Sequence, residues 1–531
     1  MKRIFFPVIL LLSISYFVAG QSVSVDWGVQ KDLDKGTFIQ KVIGADDNGF
    51  YALRSEGLKG IEEGNMYLEF FSMTMKERES SNTLVLPSIK GNPAFFIDMF
   101  YMKEKLILFT EVSDHSTMRR ELYVQYMSQE GTAKNQPIKI GSLPLSNKLE
   151  DGFTVKLSED KTQILVVYHS TFEAYAGEPF TIKVIDENLT ETFSKEIALP
   201  FADKKMIVGN YILGKSGNVY MSARTETTTK SGKNTVVKYT NNVVVYNKLK
   251  REINYYEVNK PKFNTLEIIF ALDKEENVVV FASMTPSNKA TLAGYYNIKI
   301  DPKAQKLLSD PNDKFNMYVF TKLDLTNIFN SKRYVEFGTE RYNFKLKDLI
   351  ILDNGSAFLL CENSFYTTKD IIDPKTKEQT SISYSNYNDI FVIAANADGT
   401  ISGKAGAPQR PFQVITKQQS GTNEYGLWSS YFISNQGSKL KLIFNDVSKQ
   451  ANVINSGDKI KTFKTNVSTN PGGSACVVTI YSDSSMEKDY LFADPNQDYV
   501  TIPKLFCPWG SNLIVFAQNG KQYKFGSFFF E

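Results

Sequence analysis

The sequence contains little of the material from which most metal sites and nucleophilic active sites are built. Its 531 residues include only two histidines, three cysteines and three tryptophans. So few thiols and imidazoles leave few combinations that would hold zinc or a transition metal. We therefore predict no bound metal and no cofactor.

The three cysteines are also too few for a disulfide scaffold, which would be far denser in cysteine. Cys361, Cys476 and Cys507 are scattered, and the first two lie in the apolar segments AFLLCEN and ACVVTIY. We expect buried free thiols that pack as small hydrophobic side chains. One disulfide between Cys476 and Cys507 is the alternative.

The chain has no strong charge of either sign. Lysine and arginine number 61 against 58 aspartate and glutamate residues, a formal net charge of +3. A protein that binds nucleic acid needs a clustered basic surface to displace the counterions of the phosphates, so we expect no nucleic-acid partner. Hydrophobic residues at 42% are sufficient for a large core, which excludes a disordered chain.

One apolar stretch stands at the N-terminus. Lys2 and Arg3 precede the largely apolar residues 4–18, and the small residues Ala19 and Gly20 follow. This order is typical of a secretory signal peptide, and the stretch is shorter than the roughly 20 residues of a membrane span. We predict a signal peptide at 1–20, a mature domain at 21–531 without a transmembrane segment, and a periplasmic or secreted location. No cysteine follows the small residues, so we expect no lipoprotein anchor.

A short apolar segment after a polar turn recurs eight times. The copies are NGFYALRS, EKLILFTE, TQILVVYH, GNVYMSAR, ENVVVFAS, GSAFLLCE, SKLKLIFN and SNLIVFAQ, spaced by 55 to 83 residues. Such spacing is typical of radial β repeats. A strand-like segment and a turn, in most copies rich in Asn, Asp or Gly, precede the apolar segment, and two further strand-like segments follow it. Four antiparallel strands per unit make one blade of a propeller.

The apolar segment also discriminates between β architectures. LILF, ILVV, VVVF and LIVF are continuous apolar runs, which indicate that both faces of the strand are covered. Neighbouring blades provide that cover, whereas a sandwich or a transmembrane barrel would show alternation. We predict an all-β propeller with eight four-stranded blades, with seven blades as the alternative. The last unit supplies only three strands, around IPKLFC, NLIVFA and QYKFGSFFF, so the extended run 22–27 would supply the fourth and close the ring.

Over residues 30–531 these units resemble the β-propeller superfamily. Segments such as ILDNGSAFLLCEN followed by YNDIFVIAANADGTI are similar to units of extracytoplasmic propellers of Gram-negative bacteria. The resemblance implies the fold and names no activity.

Every apolar segment ends in a polar residue at the same offset from its first apolar residue. These eight candidate binding residues are Ser55, Glu111, His169, Arg224, Ser283, Glu362, Asn445 and Gln518. In propellers, the end of the second strand lies on the face where most ligands bind. The alternative is that a strand end simply meets water. Glu111, His169 and Arg224 would form a charged arc on three adjacent blades, either as a pocket floor for an ionic ligand or as an internal network.

The segments after these strands are predicted to be long loops at 112–120, 170–178, 225–238 and 363–386, where binding functions commonly lie. The last contains several aromatic residues, which would suit a sugar, a peptide or a protein surface. A short helix is expected near 325–330.

No catalytic motif is present: the sequence has no H-E-x-x-H, G-x-S-x-G, P-loop or EF-hand pattern. Our leading hypothesis is a non-catalytic binding or scaffold protein, specifically a subunit docked on an outer-membrane secretion or uptake complex. The alternative is a carbohydrate-active enzyme, a glycoside hydrolase or lyase, with its site in the central funnel. Glu111 and Glu362 would lie four blades apart, which is too far for the paired carboxylates of a glycosidase.

Overall fold

The computed structural model describes the residues 25–56, 64–75, 78–145, 152–169, 175–176, 180–199, 201–231, 234–286, 292–310, 313–320, 344–372, 374, 379–401, 412–414, 418–421, 428–437, 439–447, 462–465, 473–481, 485–490 and 499–529. Most of these residues lie in strands, accompanied by two short 3₁₀ turns, Lys314–Asn316 and Pro503–Leu505. The predicted all-β class is confirmed.

The described strands form eight separate sheets, which we number as blades 1 to 8 in chain order. Blade 1 consists of β3 (Thr37–Ala45), β4 (Gly49–Glu56), β5 (Met66–Ser72) and β6 (Arg78–Thr83). Blade 2 consists of β7 (Ser88–Ile89), β8 (Asn92–Met102), β9 (Lys105–Asp114), β10 (Arg119–Met127) and β11 (Ile138–Pro144). Blade 3 consists of β12 (Phe153–Leu157), β13 (Gln163–His169), β15 (Phe180–Asp186) and β16 (Glu191–Ile197). Blade 4 consists of β14 (Tyr175–Ala176), β17 (Phe201–Leu213), β18 (Val219–Ser231), β19 (Asn234–Asn247) and β20 (Glu252–Glu257).

The second half of the chain repeats this arrangement with additional short strands. Blade 5 consists of β21 (Phe263–Leu272), β22 (Val278–Pro286), β23 (Gly294–Asp301), β24 (Lys306–Leu307) and β25 (Met317–Val319). Blade 6 consists of β26 (Phe344–Ile351), β27 (Ala357–Ile372), β28 (Gln379–Ala395), β29 (Phe412–Val414), β30 (Gln418–Gly421) and β33 (Phe463–Thr465). Blade 7 consists of β31 (Tyr431–Gln436), β32 (Lys439–Val447), β34 (Gly473–Tyr481) and β35 (Met486–Tyr490). Blade 8 consists of β36 (Val500–Thr501), β37 (Cys507–Trp509), β38 (Asn512–Asn519), β39 (Gln522–Phe529), β1 (Val25–Trp27) and β2 (Lys31–Asp32).

The repeated apolar segments form β4, β9, β13, β18, β22, β27, β32 and β38, which we call the second strands of their blades. They are covered on both faces, as predicted. In β9, the consecutive residues Leu106, Ile107, Leu108 and Phe109 are at most 4% exposed. The fourth strand β16 is largely exposed, which is expected at the outer edge of a blade. A continuous apolar run therefore marks the central position in the sheet.

Apolar clusters fill the space between neighbouring blades. Phe109 of blade 2 shares a cluster with Ile164 and Val166 of blade 3. Corresponding clusters join each blade to the next along the chain. A further cluster joins Phe50 of blade 1 to Phe525 of blade 8. Side chains on both faces of each sheet thus lose contact with water, which is the main source of stability in such a fold.

The N-terminal strand pairs with the last strand of the chain. Residues 25–27 of β1 lie antiparallel to β39, with Val25 opposite Phe528 and Trp27 opposite Gly526. A Cβ atom at Gly526 would lie 2.6 Å from Val25 Cγ1, so only glycine permits this close approach. The strand predicted around IPKLFC is interrupted, because Pro503–Leu505 form a 3₁₀ turn between the short strands β36 and β37, both of which pair with β38.

Three of the predicted long loops are wrong, because strands occupy more than half of each segment. β9 extends to Asp114 and β10 begins at Arg119, so 112–120 is mostly strand. The segments 225–238 and 363–386 form the hairpins β18–β19 and β27–β28, whose threonine, tyrosine and isoleucine residues favour extended backbone. In 170–178, the pair Tyr175–Ala176 forms β14 against β17, and the other residues of this segment lie outside the described part.

Several predictions fall on residues that the structure does not describe. These are the signal peptide at 1–20, residues 22–24 of the closing run and the helix near 325–330. Within the described residues, no helix is long and apolar enough to cross a membrane. The three cysteines are buried and free, as expected, and the alternative Cys476–Cys507 disulfide is not formed.

Candidate functional site

The eight candidate binding residues all lie in the second strands of their blades. In blades 1, 3 and 8 they lie within one residue of the strand end, whereas in blades 4 and 6 the strand continues well beyond them. Six of these side chains are buried: Ser55, Glu111, Ser283, Glu362, Asn445 and Gln518. Arg224 is half-buried, and the side chain of His169 lies outside the described part. The alternative that these residues simply meet water therefore does not hold for the six buried ones.

The predicted charged arc does not form one contact network in the described residues. Glu111 pairs with Arg120 on the next strand of its own blade, with Arg120 Nε donating to Oε1 at 2.6 Å and Nη2 to Oε2 at 2.9 Å. Arg224 instead donates to the carbonyl of Leu266 in blade 5 at 3.3 Å and lies over the ring of Tyr239. The Glu111 and Arg224 side chains thus both form hydrogen bonds with other groups of the folded chain.

A bulge in the innermost strand recurs in blades 1, 2, 4, 5 and 6. The bulge directs a polar side chain toward a neighbouring blade, which is a common use of this irregularity. Lys41 of blade 1 donates to Asp98 of blade 2 at 2.7 Å. Asp348 of blade 6 accepts from the hydroxyl of Tyr431 of blade 7 at 2.7 Å.

Asn445 is part of a buried polar network between blades 7 and 8. Its Nδ2 donates to the carbonyl oxygens of Trp428 at 2.9 Å and Thr501 at 2.8 Å, and its Oδ1 accepts from the Thr501 hydroxyl. Gln418 Nε2 donates to the Asn445 carbonyl at 2.9 Å, and Gln418 Oε1 accepts from the amide of Ser430 at 2.6 Å. This network positions Ser430 beside the next candidate residue, Glu362.

Among the eight candidate residues, Glu362 differs in its lack of hydrogen bonds. Its side chain is 1% exposed, and neither carboxylate oxygen is hydrogen-bonded within the described residues. Lys347 Nζ lies 3.9 Å from Oε2, a separation longer than a good hydrogen bond. Burial of a carboxylate without hydrogen bonds costs free energy. A ligand group that donates a hydrogen bond to Glu362 would therefore stabilise this part of the protein.

Burial raises the pKa of Glu362 to about 7, although Lys347, Ser430 and Lys504 favour its ionised form. The Lys504 side chain is exposed at its surface, yet the surrounding protein atoms and the charge of Lys347 lower its pKa. Its Nζ lies 5.7 Å from the centre of the Tyr387 ring. Strongly shifted pKa values are typical of functional sites and also occur in structural ion pairs.

The two lysines of this site were not among the residues predicted from the sequence. In FKLKDL, the buried Phe344 and Leu346 alternate with the exposed Lys345 and Lys347. This alternation in the sequence could have indicated that one face of β26 is polar. Lys504 lies in the 3₁₀ turn of blade 8, where no periodicity would identify it.

A pocket of about 180 Å³ lies at the opposite end of the blades, among the turns that join first and second strands. Lys274 and Asp353 form an exposed ion pair of 3.1 Å at its rim. Glu276 lines it but accepts from the Ser216 amide at 2.7 Å and from the Tyr220 hydroxyl at 3.1 Å, so this carboxylate is satisfied. The described residues contain no group of three His, Cys, Asp or Glu side chains that would hold a metal ion.

No family model and no curated protein matches the sequence. The chain is similar in structure to an ulvan lyase, a polysaccharide lyase, at 8% identity over 91% of this chain and 96% of that one, with a TM-score of 0.37. It is also similar to the β-propeller domain of the Trilobed protease from Pyrococcus furiosus, at 8% identity over 87% and 100% of the two chains, with a TM-score of 0.33. The WD40 domain of SCAP from fission yeast matches at 11% identity over 96% and 95%, with a TM-score of 0.33. The eight sheets, with an apolar cluster between each sheet and the next, identify the chain as a β-propeller. The three similar structures carry no argument about its activity.

Proposed function

We propose that this protein is an exported, non-catalytic binding propeller whose partner is a protein that docks on the face where the second strands end. The observation that carries the proposal is the length of the β27–β28 hairpin. β27 has 16 residues and β28 has 17, against 7 to 10 in the second strands of blades 1, 2, 3, 5, 7 and 8. At about 3.4 Å per residue, the hairpin reaches roughly 20 Å farther than those strands.

The hairpin presents large apolar side chains to solvent. Tyr366 is 78% exposed and Ile372 is 61% exposed. Because alternate residues of a strand point to the same side, these two side chains share one face of the hairpin. Tyrosine and other apolar residues on a projecting element are typical of protein-binding surfaces.

The narrower form of the proposal places the partner in an outer-membrane secretion or uptake complex. It depends on export, so N-terminal sequencing of the purified chain should find a mature protein that starts at or near Gln21 in the periplasm or medium. Recovery of the chain mainly from the cytoplasm, with residues 4–18 retained, would contradict it.

The test of docking is capture of a partner from envelope extracts with the mature chain as bait. The wild-type chain should retain one protein in stoichiometric amount, and the double variant Tyr366→Ser with Ile372→Ser should lose it. Leu249→Ser is the matched control, because Leu249 is 90% exposed and lies in the β19–β20 turn at the other end of its blade. Equal capture by all three chains would reject the hairpin as the docking element.

The second candidate function, a carbohydrate-active enzyme, is favoured by one observation. The buried carboxyl of Glu362, with a pKa of about 7, has the protonation behaviour of a general acid. Release of reducing or unsaturated sugar from acidic or neutral polysaccharides, lost in Glu362→Gln, would establish this function in place of the first.

A further inference from the structure

The pocket of about 180 Å³ at the end of the blades opposite the β27–β28 hairpin is built from equivalent turns of consecutive blades. In each of blades 3 to 6, the turn between the first and second strands contains one backbone hydrogen bond, in which the amide of its fourth residue donates to the carbonyl of its first. The second residues of these turns all carry a charge and line the pocket: Glu159, Lys215, Lys274 and Asp353. Blade 7 contributes Asn435. Five neighbouring blades thus enclose one cavity, as expected at a mouth of the central channel of a propeller.

Four aliphatic side chains also line the pocket. Leu213 and Leu352 are buried, whereas Leu272 and Ile351 are half-buried and keep part of their apolar surface open. An enclosed space of about 150 Å³ accommodates a benzene-sized molecule, so this pocket has room for a ligand of roughly six to nine non-hydrogen atoms. The lining therefore predicts a small ligand that combines an aliphatic part with charged groups.

The pocket is held in shape by side chains that bond to the turns. Asp273 accepts from two amides of its own turn, at 3.0 and 2.8 Å, and pairs with Lys299 at 2.9 Å. Glu276 of blade 5 accepts from the amide of Ser216 of blade 4 at 2.7 Å. Asn435 of blade 7 donates to a backbone carbonyl of blade 6 at 3.3 Å. These contacts preform the pocket, which reduces the free-energy cost of ordering it when a ligand binds.

Two opposite charges of the lining are left without a partner. Lys274 and Asp353 pair with each other at 3.1 Å. Glu159 of blade 3 and Lys215 of blade 4 are exposed, and neither forms a hydrogen bond or an ion pair with another described residue. Counting Lys299, the pocket holds four carboxylates and three ammonium groups, which leave one net negative charge. A ligand with an ammonium group is therefore preferred, and a ligand that carries only negative charge is disfavoured.

We propose that this pocket binds an α-amino acid with an aliphatic side chain, such as leucine. The ammonium group of the ligand pairs with Glu159 and its carboxylate pairs with Lys215, while its side chain lies against Leu272 and Ile351. The ligand thus supplies a counter-charge to each of two unpaired groups and covers apolar surface that is partly open to water. The site lies on the face opposite the β27–β28 hairpin, so this inference goes beyond the docking of a protein partner and does not depend on it.

The experiment is a ligand-observed NMR titration of the mature chain with three small molecules. L-Leucine carries both charges, 3-methylbutylamine lacks the carboxylate, and 4-methylpentanoate lacks the ammonium group. Leucine should bind most tightly. The amine should bind about tenfold more weakly, because one hydrogen bond to a charged group is lost, and the carboxylate should bind more weakly still, because the lining has a net negative charge.

Two single substitutions assign the charges. Glu159→Gln should weaken the binding of leucine about tenfold and should not weaken that of 4-methylpentanoate, which has no ammonium group. Lys215→Met should weaken the binding of leucine about tenfold and should not weaken that of 3-methylbutylamine, which has no carboxylate. Glu275→Gln is the matched control and should bind leucine like the wild type, because Glu275 is exposed in the turn of blade 5 but does not line the pocket.

The inference is overturned if leucine does not bind, if either singly charged molecule binds as tightly as leucine, or if Glu159→Gln and Lys215→Met bind leucine like the wild type. An equal loss of binding in Glu275→Gln also rejects it. Thermal melts of each variant establish that the chain is folded. Capture of a protein partner should be the same for all of these variants, so the docking proposal and this inference fail separately.

Discussion

The ring of Phe525 in blade 8 packs edge-on against the ring of Phe50 in blade 1, with their centroids 4.8 Å apart. Phe525 also contacts Phe71 of blade 1 at 4.8 Å and Phe516 of its own blade at 5.0 Å. Residues from the two ends of the chain thus share one apolar cluster. This contact and the pairing of β1 with β39 join blade 8 to blade 1 and to the N-terminal strand, as the predicted ring closure requires.

Removal of the N-terminal strand should therefore weaken the whole ring. Deletion of residues 22–27 should lower the melting temperature or cause aggregation, because residues 526–528 of β39 lose their partner strand and become an exposed edge. Deletion of 22–24 alone leaves β1 (Val25–Trp27) intact and is the control. Differential scanning calorimetry of both chains is the measurement, and equal melting of the longer deletion and the mature chain would show that β1 does not close the ring.

Truncation of Phe525 should be among the more destabilising single changes. Phe525→Ala removes a side chain that is 2% exposed and leaves a cavity between blades 8 and 1, so the free energy of unfolding should fall by about 3–5 kcal/mol. Phe529→Ala, at a position that is 57% exposed on the same strand, should cost less than about 1 kcal/mol. Urea denaturation of both variants tests this, and similar losses would contradict the role of the cluster.

The pair of Glu111 and Arg120 should contribute to stability and not to binding. The Arg120 and Glu111 side chains are 15% and 10% exposed, so Arg120→Ala leaves a largely buried carboxylate without its bidentate partner. We expect a loss of about 3 kcal/mol in the free energy of unfolding and unchanged partner capture by the folded fraction. The double variant Glu111→Gln with Arg120→Ala should recover part of the loss. Weaker capture with unchanged stability would instead support the pocket-floor interpretation of this arc.

Replacement of His169 and Arg224 by alanine tests the other two members of the arc. Arg224 bonds to the Leu266 carbonyl at 3.3 Å, so this double variant should lower the melting temperature. If the two residues instead line a binding face, the Kd for the partner should rise at least about tenfold while the fold is unchanged. Melting temperature and affinity measured on the same sample distinguish the two outcomes.

Glu362 should make the stability of the protein decrease as the pH rises. Its pKa is raised from the ordinary value of 4.5 to about 7 in the folded chain, so the folded state binds more protons than the unfolded state between these values. The stabilisation is complete below about pH 4.5 and is lost by about pH 7, a difference of about 3 kcal/mol at 1.4 kcal/mol per pKa unit. Glu362→Gln should remove this dependence in urea denaturation series, whereas Glu79→Gln, at an exposed position, should keep it.

The sequence by itself determined the class of fold and the position of the central strands. A run such as LILF at Leu106 to Phe109 has no polar face, so it is stable only when both of its faces are covered, and the structure covers both. The same pattern placed Glu111 and Glu362 at equivalent positions in their blades. It also misassigned the segments 225–238 and 363–386, because polar threonine, serine and tyrosine residues are compatible with loops and with exposed strands alike.

Only the tertiary structure decided which of these equivalent residues is available for chemistry. Glu111 lies opposite Leu122 on the neighbouring strand, and Arg120, two residues before Leu122, donates to both carboxylate oxygens of Glu111. The Glu111 charge is therefore neutralised within its own blade. Glu362 has no such partner on its own hairpin, and its neighbours Lys347 and Lys504 come from two different blades. Two carboxylates with the same strand position therefore differ because desolvation and the approach of distant charges depend on how the blades pack, which no local pattern encodes.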